Sequence, residues 1–437
     1  LQQIDIDPIH YLNYGKVLKG LRRYEDAKRW FLTYATTNPT VGNHFAQTAD
    51  YATRTLNAPP SYQVFNEQAV NTPASEFGPA FYGNNEVVFS SSRIDANPNG
   101  NFSGKVDNQL FLAKRGNNNF LQNLELLQPD DRNKKYSEGP VSYSADGRLV
   151  AITRNNFADG TRHLSSSGME LSLYFADVRQ DGSWGNLQSF PYNSSDFSNG
   201  FPNLAADGNT LYFASNRPGG EGGFDIYVSY RTGSNWSTPE NLGAGVNTPG
   251  DEITPHFDGR TLYFSSTWHE GFGGYDIFKT EKENGQWTRP TNLGPGANSP
   301  YDDHGFVYDN IRNVGYLSSN RQNGAIGAKD IYRIVQRTDQ LVLRAVNATD
   351  QRPLSNVVLD FSSCGQGIYQ TDRDGMYVLQ AYDGIECQVS VRKPGFLPRT
   401  ITLTNQDLQR VGEYEIALSS EDEGYIGTVV DAQTNAP

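Results

Sequence analysis

This sequence is short of cysteine, methionine and clustered basic residues, and each shortage excludes something. Cys364 and Cys387 are its only cysteines and it has two methionines in 437 residues. Neither cysteine has Cys-x-x-Cys spacing, which excludes a thiolate metal centre. So few cysteines fit an oxidising compartment, and the local pair fits one disulfide, Cys364–Cys387, with two buried thiols as the alternative. Lys and Arg number 36 against 49 Asp and Glu, for a formal net charge of −13. No basic run exists, so nucleic acid is excluded as a partner, because neutralising phosphates takes clustered cations. No apolar stretch approaches the ~20 residues of a membrane-spanning helix, and no transmembrane span is expected. The six histidines (His10, His44, His163, His256, His269, His304) show no ligand spacing. No metal and no cofactor is therefore expected. The chain starts at Leu1 without a signal-peptide pattern, which reads as a processed or trimmed product.

Aromatics and turn residues are plentiful, with 25 Tyr, 23 Phe and 43 Gly. They are organised by a repeat. Thr210-Leu-Tyr-Phe-Ala-Ser-Asn-Arg217 recurs as Thr261-Leu-Tyr-Phe-Ser-Ser-Thr-Trp268 and as Val314-Gly-Tyr-Leu-Ser-Ser-Asn-Arg321. Each copy runs through a glycine-rich loop to Asp225-Ile-Tyr, Asp276-Ile-Phe or Asp330-Ile-Tyr. In two copies a tryptophan (Trp236, Trp287) and Pro-x-Asn-Leu-Gly follow. The same turn grammar appears from Glu138, a degenerate copy begins near Glu76, and the last begins near Asp303. Short strands repeating at about 50 residues signal a β-propeller, since one blade cannot bury both of its faces alone. The fold expected is mainly β: a five-bladed β-propeller over residues 59–338. The last copy lacks its outer strand, and Tyr62-Gln-Val-Phe65 is read as supplying it and closing the ring.

Residues 8–39 carry a helical pattern, with Tyr11, Tyr14, Gly15, Leu18, Tyr24, Ala27, Phe31, Tyr34 and Pro39 at tetratricopeptide (TPR) offsets. Pro39 is expected to end the second helix, and a third is expected from about Asn43 to Leu56. Residues 1–58 thus read as an N-terminal α-helical TPR segment. From Leu341 the alternation fits a C-terminal small β-sandwich over 339–420. Residues 421–437 parallel its first strand and read as the start of a further, truncated domain.

Function is expected on the propeller's long loops, which join second to third strands and carry exposed polar and aromatic side chains. The partner-binding candidates are Arg93, Arg154, His163, Arg217, Trp268, His269 and Arg321. The repeated Asp225, Asp276 and Asp330 read as turn caps rather than catalytic acids, because they recur in every blade. No catalytic constellation stands out, and an enzyme is not expected.

The Leu-Tyr-Phe-Ser-Ser-Asn-Arg … Gly-Gly-x-Asp-Ile-Tyr … Trp-x-x-Pro-x-Asn-Leu-Gly blades resemble WD40-like (PD40, TolB-type) propellers. Preceded by a TPR segment and followed by a carboxypeptidase-regulatory-like domain, the order resembles PorE-type OmpA-family envelope proteins of Bacteroidetes. The resemblance implies a periplasmic, outer-membrane-associated scaffold or adaptor linked to type IX secretion. Its partners would be envelope or secretion-system proteins. Peptidoglycan would be bound only through an OmpA-like domain, which this chain lacks. The competing expectation is a glycan-binding or glycan-cleaving propeller, which needs two carboxylates converging in one pocket.

Overall fold

Short apolar runs punctuated by Asp-Gly and Asn-Gly make antiparallel hairpins, because those residues accept the left-handed backbone of tight turns. Asn284 and Gly285, for example, take φ of 51° and 81° between two strands. The computed structural model describes residues 6–58, 60–93, 108–116, 119–127, 137–155, 170–322, 324–364, 367–382, 386–404, 407 and 413–421. The chain divides into two compact units, Leu1–Val335 and Gln336–Pro437. The helical segment is part of the first unit rather than a unit of its own.

Three helices open the chain: α1 (Ile9–Gly20), α2 (Tyr24–Ala35) and α3 (Pro39–Thr55). Leu12, Leu18, Ala27, Phe31, Phe45 and Ala49 form their shared core. A Cβ on Gly15 would lie 2.4 Å from the Phe31 ring, so only glycine lets α1 approach α2 this closely. Pro39 does not end the second helix. It begins α3, after Asn38 caps the helix by accepting the Val41 N–H at 3.2 Å. Proline suits that first turn because its missing N–H would have had no partner there.

Among the described residues of the first unit, β-strands make five antiparallel sheets. Their first strands are Glu76–Tyr82, Glu138–Tyr143, Asn199–Leu204, Glu252–Phe257 and Asp303–Asp309. Each first strand packs against the next, and that of the fifth sheet packs against that of the first. Sheets packed in a closed ring around their first strands are a β-propeller, and the chain is mainly β. Apolar clusters fill the spaces between neighbouring sheets, as where Trp236 of the third stacks on Phe175 of the second at 4.7 Å.

The ring closes through the strand Tyr62–Asn66, which pairs with the third strand of the fifth sheet. The following residues copy the outer part of other sheets. Asn71 accepts the Ile331 N–H and donates to the Ile331 carbonyl, both at 2.8 Å. Asn247 does the same for Ile226, and Asn298 for Ile277.

In the second unit, Ile368–Gln370, Val358–Asp360, Glu386–Arg392 and Arg399–Thr404 form one antiparallel sheet in that order. Residues 342–347 pair in parallel with Glu413–Leu418, and Met376–Tyr382 pairs antiparallel on the other side. Cys364 and Cys387 are disulfide-bonded, with Cα atoms 5.4 Å apart. Residues 422–437, read above as a truncated strand, lie outside the described residues. No helix among the described residues is long and apolar enough to cross a membrane.

Candidate functional site

The repeated arginines turn inward rather than outward. In the first, third and fifth sheets the arginine two residues beyond the second strand reaches back to the residue that starts the first strand. Arg93 meets Glu76 at 3.1 Å, Arg217 meets Asn199 at 2.7 Å and Arg321 meets Asp303 at 2.5 Å. Each guanidinium also lies over an aromatic ring of its own sheet: Phe111, Tyr227 and Tyr332, at 4.4, 4.8 and 5.1 Å. Such an arginine ties first strand to third and offers little to a partner. Arg154 reaches Glu138 at 3.1 Å, yet it stands directly across from Glu138, where the other sheets carry serine. It belongs to a different register from the other three. His163 lies outside the described residues.

The three repeated aspartates hold loop backbone. Asp225 accepts the Glu221 N–H, Asp276 the Gly273 N–H, and Asp330 the Ile326 and Gly327 N–H groups.

In the fourth sheet Trp268 occupies the arginine position, and the consequence is structural. Its ring stacks on His44 of α3 at 4.2 Å and meets Phe45 edge-on at 5.4 Å. His44 Nε2 donates to the Trp268 carbonyl at 2.7 Å. Phe272, from the same loop, is fully buried among the helical residues. His269 points the other way, its Nε2 donating to the Val246 carbonyl at 3.0 Å. Trp268 and His269 are thus held by this chain's own helices and loops. Without an arginine, Glu252 is held by Thr248 and Ser266 hydroxyls, and burial pushes its carboxyl up to about 7. At the same junction burial pushes Lys19 of α1 down to about 8 and Asp276 up to about 7, each moderated by the other's opposite charge.

At the ring's centre the first strands leave a cavity of about 280 Å³. Its wall includes Ala145, Ala206 and Asp258, beside the short hairpin turns. Pro79, Pro140, Pro202 and Pro255 line it. Proline lacks an N–H, so it suits the open inner edge of a first strand and blocks further strand pairing there. Each first strand bulges at this level. The backbone is left-handed at Gly78 and Gly305, and also at Phe201 (φ 55°) and Thr254 (φ 52°). A bulky or β-branched residue in that conformation costs roughly 1–3 kcal/mol.

The bulges stitch neighbouring sheets together. Phe201 N–H donates to Thr153 Oγ1 at 2.9 Å, Gly305 N–H to Thr254 Oγ1 at 3.1 Å, and Gly78 N–H to Ser318 Oγ at 3.0 Å. Three residues beyond the bulge residues Phe201, Thr254 and Gly305, the Leu204, Phe257 and Tyr308 N–H groups donate to Ser142 Oγ, Asn203 Oδ1 and His256 Nε2. The cavity was not legible as a site in the sequence. The signal that points to it is proline recurring just inside the first strands.

No protein-family model matches the chain, and no curated protein does. Among solved structures it is similar to TolB from Acinetobacter baumannii, at 14% identity over 67% of this chain and 68% of that one, with a TM-score of 0.33. It is similar to an alpha-L-arabinofuranosidase from Lactobacillus brevis at 13% identity, over 69% and 96% of the two chains, with a TM-score of 0.40. A glycosyl hydrolase from Bacteroides ovatus shares 14% identity over 63% of this chain and 91% of its own, with a TM-score of 0.35.

Proposed function

We propose that this chain is a non-enzymatic scaffold of the periplasm, built as a five-bladed propeller with a TPR-type helical segment docked on its fourth blade. Its role is to bind protein partners of the outer-membrane secretion machinery, as the resemblance to OmpA-family envelope proteins implies. The observation that carries this reading is the division of α1 into two faces. Leu12, Gly15 and Leu18 are spent on the molecule's own core, while Tyr14, Val17 and Leu21 stand 46%, 58% and 62% exposed. Exposed large apolar side chains spaced along one helix face suit an interaction surface. The catalytic alternative needs two converging carboxylates. Among the described residues Asp258 is the one carboxylate lining the central cavity, and its oxygens are engaged by the Arg260 and Thr261 N–H groups and by Asn310.

The test is capture from envelope extract, with the chain and a Val17→Asp/Leu21→Asp variant as baits. Wild type recovering secretion-machinery proteins that the variant loses supports the reading. Equal recovery by both baits, or turnover of a glycan by the wild type, overturns it.

A further inference from the structure

Close-packed interiors rarely leave voids larger than a water molecule. The central cavity is an exception, and its wall explains both why it persists and what suits it. Rings of proline and bulged, left-handed backbone hold the first strands apart, so their side chains cannot collapse onto the axis. Among the described residues the wall carries no lysine or arginine, and its single carboxylate, Asp258, is already hydrogen-bonded. Four polar side chains on the wall, Ser142, Asn203, Thr254 and His256, are committed to the inter-sheet bonds described above. Phe81, Phe201, Phe257 and Phe306 supply aromatic surface between them.

A sugar brought here would exchange many hydrogen bonds to water for few, which is costly. A charged molecule would find no counter-ion. Two polar atoms stand apart, and one of them, His256 Nδ1, is fully buried and has no hydrogen bond among the described residues. The other belongs to Asn203. Asn203 Oδ1 accepts the Phe257 N–H at 2.9 Å, which fixes the orientation of the amide and leaves Nδ2 without a hydrogen bond among the described residues.

We propose that the cavity is a binding site for a small, neutral, mostly apolar ring compound bearing one hydrogen-bond acceptor, with that acceptor facing Asn203 Nδ2. Its volume lies at the lower end of the range for small-molecule pockets, so the occupant is a single ring or a little more.

Acetophenone is a suitable probe, with ethylbenzene as the match lacking an acceptor and glucose as the polar control. Ligand-detected NMR on the whole chain should show saturable, millimolar binding of acetophenone and none of glucose. Ala206→Phe adds a ring at the wall and should abolish binding. Asn203→Asp keeps the acceptor for Phe257 but removes the donor. It should weaken acetophenone about tenfold and ethylbenzene much less. Should either variant fail to fold, intermolecular NOEs from acetophenone to the rings of Phe257 and Phe306 in the wild type take its place. Absence of saturable binding to the wild type overturns the proposal. So does binding that survives Ala206→Phe in a folded protein, or NOEs that report other rings.

Discussion

The fourth and fifth sheets start from the same repeat and bury the same acid by different means. In the fifth, Asp303 is fully buried against Arg321. In the fourth, Glu252 is equally buried and held by hydroxyls with Trp268 standing at the arginine position. The first arrangement is a charge pair that holds the sheet together from within. The second leaves a proton-hungry carboxyl and releases a large apolar side chain, and that side chain seats the helical segment. The fifth sheet meanwhile takes its outer strand from the N-terminal part of the chain. A repeat therefore departs from its pattern where another part of the molecule attaches.

Two truncations separate the two attachments and should give the largest effects. Deleting residues 1–68 removes the closing strand and Glu67, a buried partner of Arg333 at 3.4 Å. Losing one member of a buried pair costs about 3–5 kcal/mol, and the lost ladder bonds add to it. The expected result is aggregation, or loss of cooperative melting for the first unit, read by calorimetry. Deleting residues 1–56 keeps the closing strand but uncovers Phe272 and Trp268. Burial of each such side chain is worth about 1.5–3 kcal/mol, so a folded ring with a lowered Tm is expected. Equal behaviour of the two truncations would mean that the strand does not close the ring.

Arg321→Met should be the most damaging of the arginine substitutions, at about 3–5 kcal/mol, since it strands the buried Asp303 carboxylate. Arg217→Met removes a bond to the neutral Asn199 and should cost less, about 1–3 kcal/mol. Urea denaturation of both variants checks the order. A reversed order would contradict the role given to the acid.

The same comparison fixes a pH dependence. Folded Glu252 keeps its proton up to about pH 7, whereas a carboxyl in the unfolded chain releases it near 4.5. Its contribution to stability is therefore complete below about pH 4.5 and is lost as pH rises through about 7. The loss amounts to about 3 kcal/mol at most. Glu67 and Asp276 are shifted in the same direction, so the term is isolated as wild type minus Glu252→Gln. That difference should slope between pH 4.5 and 7, and a flat difference would refute the assignment.

How much of this was legible depends on how local the signal is. The strands around Asp258-Gly259 and Asn284-Gly285 were readable because turn chemistry and alternation act over a few residues. The substitution of Trp268 for arginine was equally visible, yet its meaning was not. Nothing near Trp268 in sequence says that His44 and Phe45, more than two hundred positions upstream, will cover it. Arg154 looks in sequence like the other arginines, yet it faces Glu138 directly across the strands, whereas Arg93 lies two residues beyond the one facing Glu76. The cavity was hidden for a similar reason. Each sheet contributes a few wall residues that are meaningless alone, and only closure of the ring brings them together.

The smallest expected effect tests the inter-sheet stitching at single hydroxyls. Ser318 and Ser90 sit at matching places on the second strands of the fifth and first sheets. Ser318 Oγ accepts the Gly78 N–H from the next sheet. The residue matching Gly78 in the sheet after Ser90 is Pro140, which has no N–H to give. Among the described residues Ser90 Oγ is accordingly buried without a partner. Ser318→Ala should cost about 1–3 kcal/mol, because it leaves the Gly78 N–H unpaired in a buried position. Ser90→Ala removes a hydroxyl whose desolvation nothing offsets, so it should be neutral or stabilise by up to about 1 kcal/mol. Chemical denaturation of the two alanine variants side by side reads the contrast. Equal destabilisation would show that both hydroxyls are bonded, and that proline at 140 does not break the stitch between the first and second sheets.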